Sequence, residues 1–87
     1  MDRDSIQSTV EGFLKENYLR RLGRSDLEPD EILFENGVLD SLGVLELLSF
    51  LESHFKVVFS PDDLNWDNLA SVNRITDAVG RLLKGTG

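Results

Sequence analysis

The sequence predicts an all-α fold: a small four-helix bundle with three longer helices, a short third helix and a long loop between helices one and two. Two observations support this. Apolar residues recur every three to four positions in three segments, which is the period of an amphipathic helix. Serine, aspartate, proline and glycine stand where these helices would begin or end. The 87 residues suit a single domain, residues 1–87 with a core of about 4–84, too small to enclose a deep substrate cavity.

The first helix is predicted from apolar spacing near the amino terminus. Asp4 is its expected N-cap, with Gln7 as capping partner, and Gly23 is its expected stop signal. Its inward face comprises Ile6, Val10, Phe13, Leu14 and Tyr18. Residues 24–40 then form a connection that is long for a compact domain, and such loops are usually functional or contain a structured turn. Its apolar anchors are Ile32, Leu33, Phe34 and Leu39.

The second helix is predicted to start near Ser41 and to cover residues 41–54. Its best core candidates are Leu47, Leu48, Leu51 and Phe55, while Val44, Leu45 and Phe50 fall on other faces. A helix that is apolar over more than one stripe is either deeply buried or presents apolar residues to a partner. Residues 56–59 are too short to build a sheet alone, so we expect an extended connector.

Two further helix starts are marked by serines. Ser60 followed by Pro61 and two aspartates predicts the short third helix. Ser71 is the expected cap of the last helix, and the terminal Gly-Thr-Gly is expected to fray. The apolar face of that last helix comprises Val72, Ile75, Val79 and Leu82.

The charge distribution is uneven, with a net charge of −7. Residues 26–67 contain eleven acidic side chains and a single basic one, Lys56, and therefore create a negative field. Nucleic acid would be repelled, because binding it requires clustered lysine and arginine. Basic protein partners would be attracted. The alternative is that the acidic residues only confer solubility.

Several classes of function are excluded by what the sequence lacks. Cysteine is absent, which excludes disulfides, thiolate metal sites and a cysteine nucleophile. No segment approaches the roughly 20 apolar residues of a membrane span, and no signal peptide is expected. We therefore expect a cytoplasmic monomer. Met1 and the complete first helix favour a freestanding chain.

Catalysis and metal binding are not predicted. His54 is the only histidine, and in one continuous helix it would lie about 20 Å from Ser41, too far to activate that hydroxyl. No metal-ligand spacing and no glycine-rich phosphate loop occurs. The chain is therefore not expected to be an enzyme.

Ser41 has two interpretations. Asp40 or Ser41 caps the second helix and nothing more, or the Ser41 hydroxyl is modified. A helix amino terminus has unpaired N–H groups and the positive end of the helix dipole, so a phosphodiester would be favoured there. Leu42 would be an exposed apolar handle, and Gly43 would leave space beside the first turn.

The string LFENGVLDSLGVLELLSFLESHF, followed by SPDDL and LASVNRI, resembles the acyl and peptidyl carrier protein family over nearly the whole chain. It looks more like freestanding D-alanyl and peptidyl carriers, and stand-alone carriers of secondary metabolism, than like the fatty-acid carrier. The resemblance implies that the motif serine, here Ser41, carries phosphopantetheine from coenzyme A in phosphodiester linkage. The terminal thiol of that group would hold an acyl or aminoacyl cargo as a thioester.

The resemblance also implies partners. These are a phosphopantetheinyl transferase, an adenylating enzyme or acyltransferase that loads the thiol, and downstream synthase or tailoring enzymes. The expected docking residues are Asp40, Leu42, Leu45, Glu46, Ser49 and Leu69. Ordinary core packing is the alternative for Leu42 and Leu45.

The resemblance also bears on the pathway in which the carrier would act. We expect polyketide or nonribosomal peptide biosynthesis, with D-alanyl transfer to cell-wall polymers as the alternative within the family. A helical protein-interaction module without a prosthetic group is the alternative from another class.

Overall fold

The computed structural model describes residues 2–85, and this part of the chain contains helices, turns and extended connections but no strand. Its α-helices are α1 (Arg3–Leu14), α2 (Ser41–Phe55) and α3 (Val72–Gly85). The predicted all-α class and the three longer helices are therefore confirmed. Most of the expected fraying at the carboxyl terminus concerns residues 86–87, which lie outside the described residues.

Helix α1 begins earlier than predicted. Its N-cap is Asp2, whose carboxylate accepts the backbone N–H of Ser5 at 2.8 Å. Asp4, the predicted cap, instead lies in the first turn, where a negative charge is favoured by the helix dipole. The prediction was wrong because Asp2 stands at the capping distance from Ser5, which leaves Asp4 inside the helix.

The helical path continues beyond α1 as a π-helical segment, Lys15–Leu19, and a 3₁₀ turn, Arg20–Leu22. Gly23 ends it with a left-handed φ of 69°, which confirms the predicted stop. The N–H groups of Gly23 and Arg24 bond back to carbonyls of the preceding turn at 3.2 and 3.0 Å. This pair of bonds satisfies carbonyl groups that the helix end leaves open.

The long loop is held against the helices by buried apolar side chains. Of the predicted anchors, Leu33 and Leu39 are buried, while Ile32 is 40% exposed and Phe34 is half-buried against Trp66. Leu27 and Val38 are further anchors of this loop. The Leu33 N–H also bonds the Ala70 carbonyl at 2.8 Å, so the loop is tied to the segment before α3.

The predicted short third helix is not a helix in the structure, because residues 61–69 form a series of turns. Their polar side chains bond the nearby backbone in place of helical i→i−4 bonds. Asp63 accepts the Ser60 N–H at 3.0 Å, and Asn65 accepts the Asn68 N–H at 2.9 Å. Aspartate and asparagine compete with helix formation in this way. Residues 57–59 form a connector without regular secondary structure, after a turn at Lys56 with a left-handed φ of 59°.

The core lies between the three helices and the loop. Helix α2 faces it with Val44, Leu47, Leu51 and Phe55. Helix α3 contributes Val72, Ile75, Ala78 and Val79. The first helical segment, which comprises α1 and the π-helical and 3₁₀ turns that follow it, contributes Ile6, Val10, Leu14, Tyr18 and Leu19. The predicted core positions Leu47, Leu51 and Phe55 are confirmed, whereas Leu48 is half-buried. Val44, which was expected on another face, is 8% exposed and packs in the core.

Candidate functional site

The start of α2 is capped by the residue before it. The Asp40 carboxylate accepts the Gly43 N–H at 2.7 Å, and the Asp40 carbonyl accepts the Val44 N–H at 2.9 Å as the first helical bond. Asp40 is therefore the N-cap and Ser41 is the first residue inside the helix. Of the two cap assignments left open by the sequence, the structure selects Asp40.

Ser41 is exposed, and its hydroxyl makes no hydrogen bond within the described residues. The backbone N–H groups of Ser41 and Leu42 also have no hydrogen-bond partner in that part of the chain. A free hydroxyl therefore stands beside free N–H donors at the positive end of the helix dipole. This environment suits an attached group with a negative charge close to the hydroxyl oxygen.

A stripe of exposed residues runs from this point along α2. Leu42 and Leu45 are 67% and 62% exposed, so neither packs in the core. Glu46 and Ser49 are also exposed, and the four positions follow the spacing of neighbours on one helix face. The structure therefore brings together five of the expected docking residues, since Asp40 lies at the head of this stripe. We call Asp40, Leu42, Leu45, Glu46 and Ser49 the α2 stripe.

Leu69 does not join the α2 stripe. Its side chain is only 3% exposed and packs in the hydrophobic core. The expectation that it extends a docking surface is therefore corrected: the turns that replace the short helix direct this side chain inward. The exposed apolar residues of those turns are Leu64 and Trp66.

The hydrogen bond between Tyr18 and Glu46 was not predicted from the sequence. Its hydroxyl donates to Glu46 Oε1 at 2.6 Å and lies 3.3 Å from the Gly43 carbonyl oxygen. Burial, and then the hydrogen bond to Glu46, raise the pKa of Tyr18, so its hydroxyl stays protonated as a donor. One signal was available in the sequence: a tyrosine on an apolar helix face needs a polar partner when it is buried.

Gly43 permits this close approach. A Cβ at this position would lie 3.2 Å from Asp40 Oδ1 and from Leu39 Cδ2, and 3.4 Å from Tyr18 Cε1. The predicted space beside the first turn is thus filled by the protein's own side chains. Glycine lets the cap carboxylate and the tyrosine ring pack against the start of α2.

A cleft of about 260 Å³ opens beside Ser41, between the end of the first helical segment and the start of α2. Its walls include both neighbours of Ser41, Asp40 and Leu42, together with Glu46. Arg21 also lines it, with its guanidinium 5.9 Å from the centre of the Tyr18 ring. The remaining lining residues are Tyr18, Leu22, Gly37, Val38 and Gly43.

The loop that leads to Ser41 is held by one carboxylate. Glu31 accepts hydrogen bonds from Arg24, from the Glu28 N–H at 3.1 Å and from the Asn36 side chain. Asn36 in turn accepts the Val38 N–H at 3.0 Å. The Arg24 hydrogen bond is the main reason that the pKa of Glu31 is lowered to about 2. This network fixes the approach to the start of α2.

Within the described residues, the structure offers nothing for acid–base or metal chemistry at Ser41. Helix α2 is continuous from Ser41 to Phe55, so His54 lies near its opposite end and stacks on Phe50 with ring centroids 5.3 Å apart. No group of three or more histidine, aspartate or glutamate side chains that could hold a metal is found there. No helix in this range is long and apolar enough to cross a membrane.

Comparison with known proteins identifies a family. The family described as phosphopantetheine attachment site matches residues 13–79. The D-alanyl carrier protein of Streptococcus mutans is 38% identical over 53 residues, which cover 61% of this chain and 67% of that protein. The D-alanyl carrier protein of Streptococcus suis is 28% identical over 78 residues, or 90% of this chain and 95% of its own length. That of Streptococcus uberis is 40% identical over 58 residues, or 67% and 72%.

Proposed function

The chain belongs to the family of proteins with a phosphopantetheine attachment site, and from this we propose that Ser41 is the residue to which the group is attached. As a member of this family it is a carrier protein and not an enzyme. The observation that carries the proposal is the free, exposed hydroxyl of Ser41 on the first residue of α2. Asp40 performs the capping, so modification of Ser41 would cost no hydrogen bond.

The residues around Ser41 fit the prosthetic group. Its phosphodiester would stand beside the free N–H groups of Ser41 and Leu42, in the favourable field of the helix dipole. The hydroxyl is exposed, which leaves room for a transferase to reach it. When attached, the group supplies a thiol on a flexible arm that holds an acyl or aminoacyl cargo as a thioester.

Attachment requires a phosphopantetheinyl transferase with coenzyme A. A bond forms between the Ser41 oxygen and the phosphorus next to the pantetheine, and the pyrophosphate bond of coenzyme A breaks. Adenosine 3′,5′-bisphosphate leaves, and the hydroxyl proton passes to a base on the transferase or to water. No described side chain bonds the Ser41 hydroxyl or acts as a base towards it. The contribution of the chain to this step is therefore to present the hydroxyl at the start of α2.

We further propose that the α2 stripe is the surface that partner enzymes recognise. Leu42 and Leu45 offer exposed apolar contacts, while Asp40 and Glu46 offer carboxylates to basic partner residues. The eleven acidic residues between positions 26 and 67 would steer such partners towards this surface. Binding should be brief, because a carrier must leave one enzyme to reach the next.

For the cargo, we propose an aminoacyl group and, more narrowly, D-alanine. The support is that the relatives described above are D-alanyl carrier proteins, one of them aligned over 90% of this chain. The loading partner would then be an adenylating enzyme. The comparisons give no such support to the expected polyketide or nonribosomal peptide pathway.

The test of the attachment site is a mass measurement. The purified chain is incubated with coenzyme A, magnesium and a broad-specificity phosphopantetheinyl transferase. We expect the mass of one phosphopantetheine to be added to the wild type and nothing to be added to Ser41→Ala. The matched control is Ser53→Ala, which removes another exposed hydroxyl of α2 at a position outside the α2 stripe and should be modified.

Two results would contradict the proposal. If the wild-type mass does not change, the chain is not a substrate and the interaction module without a prosthetic group becomes the better reading. If Ser41→Ala is still modified, the attachment residue is elsewhere. The cargo is tested next: the modified chain should gain a D-alanyl group with ATP and a D-alanine-activating enzyme, and not an L-alanyl group.

A further inference from the structure

The hydrogen bond between Tyr18 and Glu46 joins the core to the α2 stripe. The two residues are far apart in sequence, yet the phenolic oxygen lies 2.6 Å from Glu46 Oε1. Tyr18 is 9% exposed, whereas Glu46 is exposed. The exposed Glu46 carboxylate of the proposed docking surface is thus held by Tyr18, which is mostly buried beneath it.

The backbone is arranged to make this contact. Tyr18 lies in the π-helical segment Lys15–Leu19, where Tyr18 and its neighbour Leu19 are both buried. π-helical turns are rare and occur frequently at functional sites. Gly43 lies against the ring: a Cβ there would be in ordinary contact with Tyr18 Cε1 at 3.4 Å, and in tight contact, at 3.2 Å, with Asp40 Oδ1.

We infer that Tyr18 is a positioning residue for partner recognition, one that fixes the Glu46 carboxylate on the α2 stripe for a lysine or arginine of the transferase. This inference rests on the proposed function. A carboxylate has two oxygens with about four acceptor sites, so the bond from Tyr18 leaves acceptors free for a partner. The phenolic oxygen also lies 3.3 Å from the Gly43 carbonyl oxygen, so the same hydroxyl sits against the first turn of α2.

The expected effect follows from side-chain ordering. A free glutamate must give up its rotational freedom when a partner binds, whereas a glutamate already held by Tyr18 has less to lose. The cost of ordering one such side chain corresponds to about twofold to tenfold in affinity. Tyr18→Phe should therefore raise the transferase KM for the carrier by that factor and leave kcat unchanged, as expected when uniform binding is lost.

The experiment is a double-mutant cycle with coenzyme A and the same transferase. The four proteins are wild type, Tyr18→Phe, Glu46→Gln and the double variant. Once the charge on Glu46 is removed, Tyr18 has no carboxylate to position, so Tyr18→Phe should add nothing to the KM of Glu46→Gln. The control is Thr76→Val, which removes a buried hydroxyl of α3 that has no partner in the described structure and should leave KM unchanged.

The outcomes separate this inference from the proposed function. A wild-type chain that is not modified overturns both. A modified wild type with an unchanged KM in Tyr18→Phe, or with additive effects in the double variant, overturns the inference alone. Side-chain NMR couplings of Glu46 in the wild type give a second test, which does not depend on the folding of Tyr18→Phe. One fixed rotamer of Glu46 is expected, and averaged couplings would contradict the inference.

Discussion

Helix α2 begins with a serine and α3 is preceded by one, but the two hydroxyl groups have different roles. Ser71 is the residue before α3, is 3% exposed, and accepts the Arg74 N–H at 3.2 Å, as predicted for a cap. Ser41 is the first residue of α2 and is exposed, while Asp40 provides the cap through the Gly43 N–H. Moving the cap to the preceding aspartate leaves the serine hydroxyl free for another purpose.

The apolar residues that follow the two serines differ in the same way. One and four positions after Ser71, Val72 and Ile75 are both 0% exposed. At the same positions after Ser41, Leu42 and Leu45 are 67% and 62% exposed. The start of α3 thus packs these side chains into the core, whereas α2 leaves Leu42 and Leu45 in solvent, as expected of a surface that a partner covers.

The largest expected difference concerns stability at these apolar positions. Ile75→Ala should lower the free energy of unfolding by about 2–5 kcal/mol, because it leaves a cavity in the core. Leu45→Ala should change it by no more than about 0.5 kcal/mol, since this side chain is mostly in solvent. Urea denaturation followed by circular dichroism measures both. A loss of 2 kcal/mol or more in Leu45→Ala would mean that Leu45 packs in the core and would weaken the proposed α2 stripe.

Leu45, which should matter little for stability, should matter for recognition by the transferase. Leu45→Ala should raise the transferase KM for the carrier about fivefold, which corresponds to about 1 kcal/mol of binding energy, the loss expected if Leu45 is one of the few central contacts that dominate the interface. A stability-matched reference is Val58→Ala, which shortens a side chain that is 77% exposed but lies outside the stripe. If both variants raise KM equally, exposed apolar area in general, and not the α2 stripe, governs recognition.

A smaller effect is expected from the serines themselves. Ser71→Ala removes a capping acceptor and should lower the free energy of unfolding by about 1 kcal/mol. Ser41→Ala should lower it by no more than about 0.5 kcal/mol, since its hydroxyl has no partner to lose. Asp40→Ala should resemble Ser71→Ala. If Ser41→Ala proves as costly as Ser71→Ala, then Ser41 shares the cap and its modification would disturb the helix.

The sequence was sufficient for features that depend on local spacing. The three longer helices, the stop at Gly23 and the cap at Ser71 follow from residue types at fixed offsets. The face shared by Leu42, Leu45, Glu46 and Ser49 follows from helical periodicity. Whether that face is exposed did not follow, because a helix that is apolar over several stripes does not reveal which of them the other helices cover.

The errors have tertiary or competing local causes. At residues 61–69 turns stand in place of a helix, and side chains such as Asp63 and Asn65 bond the backbone in competition with helical hydrogen bonds. Leu69 is buried as a consequence of that path. The Tyr18–Glu46 bond depends on a π-helical turn and on the packing of two helices, neither of which local spacing encodes.

The smallest expected effect is a difference in pH dependence between the loop that precedes α2 and the start of α3. The approach to α2 is held by Glu31, whose pKa is lowered from 4.5 to about 2, mainly by Arg24. A lowered carboxylate pKa stabilises the folded form above the unfolded value, and this stabilisation is lost as the pH falls from about 4.5 towards 2. The cap of α3 is a serine hydroxyl, which does not titrate in this range, and among the described residues the only carboxylate bonded to its first turn is Asp30, through the Asn73 side chain at 2.6 Å.

The loop should therefore loosen in acid before α3 does, because it opens locally and not with the whole fold. In NMR spectra recorded from pH 5 to 2, the amide signals of Asn36 and Val38 should shift before that of Arg74. Glu31→Gln is the control: its loop signals should already be shifted at pH 5 and should lose this dependence. If all three amides of the wild type move together, acid unfolds the chain globally, and the Glu31 network does not hold the approach to Ser41 separately.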